Sequence, residues 1–224
     1  MALRAFVVAR ARVAEETLAL AAARGVTQFV VVGAGLDTFA YRNAFASVRV
    51  FEVDHPATQE WKRGLLSAAG ISIPSSMTFT PVDFERQTLA DGLSLAGFDA
   101  HAPALFSWLG VTMYLSDEAL SSTLSVIASS PACSAVVFDY AVARESLGWM
   151  ERLALSRLEK RVASVGEPFR TFFSPDALRQ RLVDAGFTAI DDLAADDLNA
   201  RYFANRSDSL HISGGLGRLV IAWR

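Results

Sequence analysis

QFVVVGAGLDTFAYR, residues 28–42, is the strongest structural signal in this chain. Its apolar, β-branched beginning predicts a buried strand. The strand runs into Gly33-Ala34-Gly35, where glycine allows the backbone to turn tightly and to leave room for a ligand. A second apolar run, 48–53, ends at Asp54. A strand, a glycine turn and a carboxylate at the tip of the next strand together predict a site for a nucleoside cofactor.

The residues after the turn indicate which cofactor this is. A dinucleotide fingerprint needs a third glycine, and the chain has Thr38 at that position. Asp37 would repel a pyrophosphate, whereas it suits the ammonium group of S-adenosylmethionine (SAM). The turn therefore favours SAM, with an NAD(P)-dependent oxidoreductase as the alternative. Asp37 and Thr38 could also simply cap the helix that follows.

Carboxylates at the ends of two predicted strands complete this candidate site. Asp54 can accept hydrogen bonds from both ribose hydroxyls, and Glu52 is a second candidate for that role. Asp83, in PVDFE, follows the third strand and could accept from the exocyclic amine of adenine. Phe84 could pack on the adenine ring or supply a backbone N–H. The alternative for Asp54 and Asp83 is that each caps the next helix.

Helical and strand-like segments alternate along the chain, which predicts a doubly wound α/β fold with a parallel sheet. Helices are predicted over 4–24, 56–69, 116–129 and 174–186, and strands over 27–33, 48–53, 77–82, 104–108, 134–138, 187–193 and 218–223. Residues 141–173 interrupt this rhythm and are helical in character. We expect a single domain, 1–224, with this insertion on the substrate side of the sheet.

Composition narrows the functional classes. The chain has 224 residues, 52% of them hydrophobic, which is enough for a sizeable core. A net charge of −3 without a basic tract argues against a nucleic-acid partner. The single cysteine, Cys133, argues against disulfides and metal centres and suits the cytoplasm. No apolar run approaches a membrane span, and the N-terminus is predicted to be a helix rather than a signal peptide.

The ordered motifs resemble those of one enzyme family. RARVAEE, GAGLDT-x-x-YR, EVDHP, PVDFE and SWLGVTMYL are similar to SAM-dependent methyltransferases related to leucine carboxyl methyltransferase, a group that includes polyketide O-methyltransferases. The resemblance implies a class I Rossmann-like sheet with an antiparallel last strand and helices on both faces. It also implies that Arg12 grips the SAM carboxylate and that Gly33 and Gly35 admit the methionine part. Asp54 would hold the ribose, and Asp83 with Phe84 the adenine.

The acceptor side carries fewer signals. The expected reaction is O-methylation of a small-molecule carboxylate or hydroxyl, with a polyketide-like acceptor as one expectation. Tyr114 and Arg170 are the candidate acceptor-side residues, and each could equally be structural. A carboxylate acceptor needs no general base, whereas a phenol or alcohol usually does. His55 and His101 could serve by their ordinary pKa, but a lone histidine is more often structural, so the sequence predicts no general base. No oligomeric state follows from the sequence.

Two departures from the family leave a catalytically degenerate SAM-binding protein as a further alternative. Leu109 stands where relatives often carry a glutamate, and few residues precede Arg12 where many relatives are longer. The longer N-terminal part of such relatives covers the cofactor. We therefore expect either that this lid is missing here, that the start codon is misassigned, or that the cofactor is more exposed.

Overall fold

The computed structural model describes residues 2–84, 86–164 and 168–224, and seven strands within them form one sheet. The spatial order is β3-β2-β1-β4-β5-β7-β6, and β7 runs antiparallel to both of its neighbours, β5 and β6. This confirms the predicted doubly wound sheet with its antiparallel last strand. The strands are β1 (Gln28–Val32), β2 (Arg49–Asp54), β3 (Met77–Pro81), β4 (Ala104–Trp108), β5 (Ala135–Ala141), β6 (Ala189–Leu193) and β7 (Gly217–Trp223).

The described helices include those predicted and two that were not. They are α1 (Ala2–Ala23), α2 (Pro56–Ala68), α3 (Leu89–Leu95), α4 (Asp117–Ala128), α5 (Trp149–Ser164), α6 (Pro175–Asp184) and α7 (Ala195–Tyr202), with 3-10 turns at 39–42, 112–114 and 144–146. The predictions of α1, α2, α4 and α6 are confirmed to within a few residues. The short helices α3 and α7 were missed, since seven or eight residues give too little periodicity to recognise.

Successive side chains of each strand point to opposite faces of the sheet, which produces two hydrophobic cores, one on each face. Val30, Val32 and Phe51 face a core completed by α3, α4 and α6. Their neighbours Val31 and Val50 face a core completed by α1 and α7. Helices therefore cover both faces, as predicted, and leave the ends of the strands as the place for a ligand.

The ends of β1 to β5 lie together at one side of the sheet, here called the carboxyl edge. At its β2 corner, α2 begins directly after Asp54. The His55 ring nitrogen accepts the backbone N–H of Ala57, and Pro56 occupies the first turn, where its missing N–H costs nothing. This local chemistry fixes α2 close to the tip of β2.

Between β5 and α6 the chain forms α5, in the stretch where a helical insertion was predicted. Gly166 and Glu167, which open the GEPFRTFF segment, lie outside the described residues. The placement of this insertion on the substrate side stays a prediction. Among the described helices, none combines the length and the apolar character needed to cross a membrane.

Candidate cofactor site

Asp54 connects three elements at the carboxyl edge. One carboxylate oxygen accepts the N–H of Gly35 at 2.6 Å, and the other accepts the N–H of His55 at 2.7 Å. The Asp54 carbonyl accepts the N–H of Val82, just beyond β3, at 2.9 Å. The side chain is half-buried, and each carboxylate oxygen keeps a lone pair. Asp54 is therefore fixed by backbone donors and can still accept from a ligand.

The two glycines of the turn serve different purposes. Both have positive φ, +69° at Gly33 and +46° at Gly35. A Cβ at Gly33 would overlap the side chain of Val111, so this glycine lets the loop after β4 close against the turn. A Cβ at Gly35 would meet nothing within 4 Å. Gly35 thus borders open space that a ligand can occupy, next to the Asp54 carboxylate.

Asp37 stabilises the turn itself. Its carboxylate accepts the N–H of Phe39 at 2.7 Å, at the start of the 3-10 turn 39–42. Its carbonyl oxygen accepts a hydrogen bond from the Nζ of Lys62, also at 2.7 Å. The contact with Phe39 spans two residues, as in an Asx turn, whereas Thr38, at the N-cap position of the 3-10 turn, makes no capping hydrogen bond with its side chain. A contact with the ammonium group of the cofactor stays a prediction.

Asp83 and Phe84 lie where β3 ends, beside Asp54. The Asp83 carbonyl accepts the N–H groups of Arg86 and Gln87, and its carboxylate is 3.5 Å from Arg86 Nε. Phe84 is 42% exposed, as a ring free to cover a ligand would be. Glu85, the last residue of PVDFE, lies outside the described residues. The structure brings this pair to the edge, and their roles toward adenine stay predictions.

Arg12 pairs with a carboxylate on its own helix. Its Nε is 2.9 Å from Glu16 on the same helix, and the side chain is 63% exposed. Arg10 instead donates to Asp139 at 2.7 Å, and its guanidinium lies directly over Gly110 at the end of β4. Geometry gives no support to Arg12 as a cofactor ligand, so that role stays a prediction. Arg10 is the α1 arginine that reaches the edge.

Asp139 is the functional candidate that the sequence reading missed. It is fully buried in β5, and its second oxygen accepts the N–H of Gly110 at 2.5 Å. It thereby joins the ends of β4 and β5 and holds Arg10 in place. Leu109, at the position where a family glutamate was expected, is partly buried against the α1 core instead. The signal for Asp139 was a charged residue inside the apolar run AVVFDYA, which cannot be buried without a partner.

Aromatic residues gather beyond β4. The rings of Tyr114 and Phe169 are 5.5 Å apart, and Phe169 also contacts Phe172 at 6.0 Å. The N–H of Arg170 donates to the Met113 carbonyl at 2.7 Å, while the Arg170 side chain is exposed. The structure therefore brings the two predicted acceptor-side segments together. The acceptor roles of Tyr114 and Arg170 stay predictions.

Comparisons of the sequence point to one family. The model of the family described as leucine carboxyl methyltransferase matches residues 1–128. YktD of Bacillus subtilis is 36% identical over 205 residues, which cover 90% of this chain and 67% of YktD. A Saccharopolyspora erythraea relative is 37% identical over 123 residues, 54% of this chain and 42% of that protein. Both are provisionally named S-adenosyl-L-methionine-dependent methyltransferases. The chain therefore spans two thirds of one relative and less than half of the other.

A solved structure extends the likeness to the whole chain. The crystal structure of a provisionally identified methyltransferase from Thermobifida fusca aligns with a TM-score of 0.68 at 16% identity. The alignment covers 100% of this chain and 82% of that protein. At this identity the likeness concerns the fold, which is that of the class I methyltransferases.

Proposed function

Since the chain belongs to the leucine carboxyl methyltransferase family of SAM-dependent methyltransferases, we propose that it methylates a carboxylate or hydroxyl oxygen of a small molecule. A polyketide-like acceptor is one candidate, because the motifs resemble a group that includes polyketide O-methyltransferases. The family also decides against the NAD(P)-dependent alternative, in agreement with Thr38 in place of a third glycine.

One observation carries the proposal: the Asp54 carboxylate stands beside open space at Gly35. Two backbone N–H groups fix its orientation before a ligand arrives, and its free lone pairs suit the two hydroxyls of a ribose. The residues at this edge thus fit SAM. Gly33 and Gly35 would border its methionine part, Asp54 would hold the ribose, and Asp83 with Phe84 would hold the adenine.

The α1 side of the edge suits the other end of the cofactor. Arg10 uses part of its guanidinium on Asp139, and the planar fork offers further N–H donors. A carboxylate is the group that such a fork binds best. We therefore assign the SAM carboxylate to Arg10, with Asp139 setting its position.

Methyl transfer mainly requires that the protein position the acceptor oxygen against the methyl group. SAM supplies an electrophilic methyl group on a sulfonium sulfur. The residues of this chain would align the acceptor oxygen and exclude water from it. A carboxylate acceptor is already a nucleophile, so the absence of an assigned base is consistent with this reaction. The aromatic pair Tyr114–Phe169 offers an apolar wall, and Arg170 a charge that could pair with an acidic acceptor.

Calorimetric titration with S-adenosylhomocysteine (SAH) and with NADH tests the cofactor. We expect SAH to bind and NADH not to bind, and the reverse would overturn the proposal.

The acceptor is tested by incubating the protein with SAM and a panel of aromatic and aliphatic carboxylic acids and phenols, measuring SAH release. Asp54→Ala is the matched control that should lose the signal. If the protein binds SAH but forms no SAH from SAM with any of the acceptors, the degenerate SAM-binding protein is favoured.

A further inference from the structure

The turn beside the proposed cofactor space is held unevenly by other elements. Its first part bonds to β2, because the N–H groups of Gly33 and Gly35 donate to the backbone of that strand and to its terminal carboxylate. Residues 36–38 make their other hydrogen bonds within the stretch 34–42. Among the described residues, one hydrogen bond joins 36–38 to another element, and its donor is Lys62 of α2.

The local chain explains why residues 36–38 need an outside partner. The crossover from β1 to β2, residues 33–48, contains a four-residue 3-10 turn, whereas the crossovers after β2 and β4 contain helices of 13 and 12 residues. A helix satisfies its backbone carbonyls internally, and an irregular stretch does not. Gly33 and Gly35 also have positive φ, so the backbone before residue 36 is permissive. The conformation of the turn therefore depends on its contacts.

Lys62 contacts the turn and β2 at once. Its Nζ is 2.7 Å from the Asp37 carbonyl oxygen and 2.7 Å from a carboxylate oxygen of Glu52. The residue is 4% exposed, so its ammonium group is not available to a ligand. Lys62 thus acts on the turn from inside the protein, and it would influence a cofactor only through the position of the turn.

A buried lysine is a costly residue with which to pack a helix. The buried residues of α2 are Gln59 and Lys62, and both are polar. Replacing a buried ion pair by apolar side chains of similar volume is often neutral or stabilising, so stability alone does not explain Lys62. Nineteen of the 21 basic residues in the chain are arginine, and Lys62 is one of two lysines. The compact ammonium of lysine can donate to a carbonyl and to a carboxylate from one nitrogen, which suits this position.

Glu52 allows a buried ammonium group to lie close to a site for a cation. SAM carries positive charge on its sulfonium sulfur and on its own ammonium group, which an unpaired lysine would repel. The Glu52 carboxylate, which is 1% exposed, supplies the countercharge to Lys62. The pair therefore presents a hydrogen-bond donor to the turn without adding net positive charge near the cofactor.

We propose that Lys62 is a positioning residue for the cofactor. It holds residues 36–38 so that the open space at Gly35 exists before the cofactor arrives, and binding then requires less ordering of the turn. The inference rests on the proposed cofactor site, and it adds to that site a residue that touches no cofactor atom. Without the Lys62 hydrogen bond, the turn would sample further conformations and SAM would bind more weakly.

Calorimetry with SAH on a charge-free variant tests this role. Glu52→Met/Lys62→Met removes both charges together, so it avoids the unpaired buried carboxylate of Lys62→Met and should keep the fold. It also removes the donor to the Asp37 carbonyl. We expect SAH to bind this variant at least about fivefold more weakly than the unsubstituted chain.

Gln59→Met is the matched control. Gln59 is buried on the same face of α2 and donates to the Glu52 carbonyl at 2.7 Å, and among the described residues it makes no hydrogen bond to the turn. This substitution should lower the free energy of unfolding and leave SAH affinity within about twofold. SAH affinity should therefore follow the donor to the turn and not the stability of the variant.

Hydrogen exchange tests the same contact without a cofactor. The N–H of Phe39 donates to the Asp37 carboxylate at 2.7 Å, so its exchange rate reports on the turn. In the ligand-free protein, Phe39 should exchange at least about fivefold faster in Glu52→Met/Lys62→Met than in Gln59→Met.

Two results would overturn the proposal. The first is an SAH affinity of Glu52→Met/Lys62→Met that matches the unsubstituted chain. The second is an equal loss of affinity in Gln59→Met, which would show that any loosening of α2 has this effect. If the unsubstituted chain does not bind SAH, the cofactor proposal fails, and Phe39 exchange still tests the Lys62 contact.

One further measurement decides if the charge-free variant does not fold. Side-chain NMR of the unsubstituted chain compares its two lysines, the buried Lys62 and the exposed Lys160. Ammonium protons of Lys62 that are protected from exchange would support its hydrogen bonds. Protons that exchange as fast as those of Lys160 would contradict them and overturn the proposal.

Discussion

The tip and the middle of strand β2 each carry a carboxylate, and the two are held in opposite ways. Asp54, at the tip, is half-buried and accepts from two backbone N–H groups. Glu52, in the middle, is 1% exposed and pairs with the buried Lys62 of α2. Backbone N–H donors orient a carboxylate and leave its negative charge in place, whereas a paired cation neutralises that charge. A strand end can therefore present a charge to a ligand, while the strand interior uses one for structure.

Removing the countercharge should have the largest effect. Lys62→Met would leave the buried Glu52 without its cation, and one Glu52 oxygen already has no partner among the described residues. Breaking a buried pair from one side costs about 3–5 kcal/mol. We expect a loss of that size in the free energy of unfolding, measured with denaturant at pH 8. A loss below about 1 kcal/mol would show that the pair contributes little.

The pair of Glu52 and Lys62 also predicts how the free energy of unfolding changes with pH. Burial raises the pKa of Glu52 above 4.5, despite the opposing effect of Lys62. Because the folded state then holds the proton more tightly than the unfolded state, stability is lost as pH rises above about 4.5. In Lys62→Met this dependence should steepen, so its deficit should be smaller at pH 5 than at pH 8. The double variant Glu52→Gln/Lys62→Met is the control, and its own free energy of unfolding should lack the pH dependence that Glu52 causes.

At the strand tip the expected effect is on binding. Asp54→Ala removes the proposed ribose acceptor and should weaken SAH binding more than about tenfold, or about 1.4 kcal/mol, by calorimetry. Glu52→Gln is the matched control, which should lower stability and leave SAH affinity within about twofold. Equal effects of the two substitutions on affinity would remove the distinction between tip and middle.

A smaller effect on binding is expected from α1. Arg10→Gln should weaken SAH binding about three- to tenfold, because one charge-assisted contact to the SAM carboxylate is lost. Arg12→Gln should leave affinity unchanged, since Arg12 is exposed and pairs with Glu16. The reverse ranking would restore the role that the motif resemblance gave to Arg12. Thermal unfolding of both variants checks that Asp139 tolerates the loss of its partner.

The sequence predicted the β1–β2 corner well because its signals are local. A strand, two glycines and Asp54 lie within 27 residues, and each signal depends only on its neighbours in the chain. Arg10 and Asp139 are 129 positions apart, so their ion pair depends on how α1 packs on β5. Glu52 was a candidate for the ribose until the structure showed Lys62 beside it. Only tertiary packing distinguishes a carboxylate that is available from one that is already paired.

A third carboxylate, at the surface, is the one whose removal should cost the least stability. Asp117, in the first turn of α4, pairs with Arg181 of α6 and is 64% exposed. Solvent screens such a pair, so Asp117→Asn should cost only about 0.5 kcal/mol at pH 7. The Arg181 hydrogen bond lowers the pKa of Asp117 below 3.8. Its contribution is therefore present above that pH and lost on acidification, the opposite direction to Glu52. The difference between the melting temperatures of the two proteins should shrink as the pH falls below 3.8, and a difference that stays constant on acidification would mean that Asp117 acts through something other than its charge.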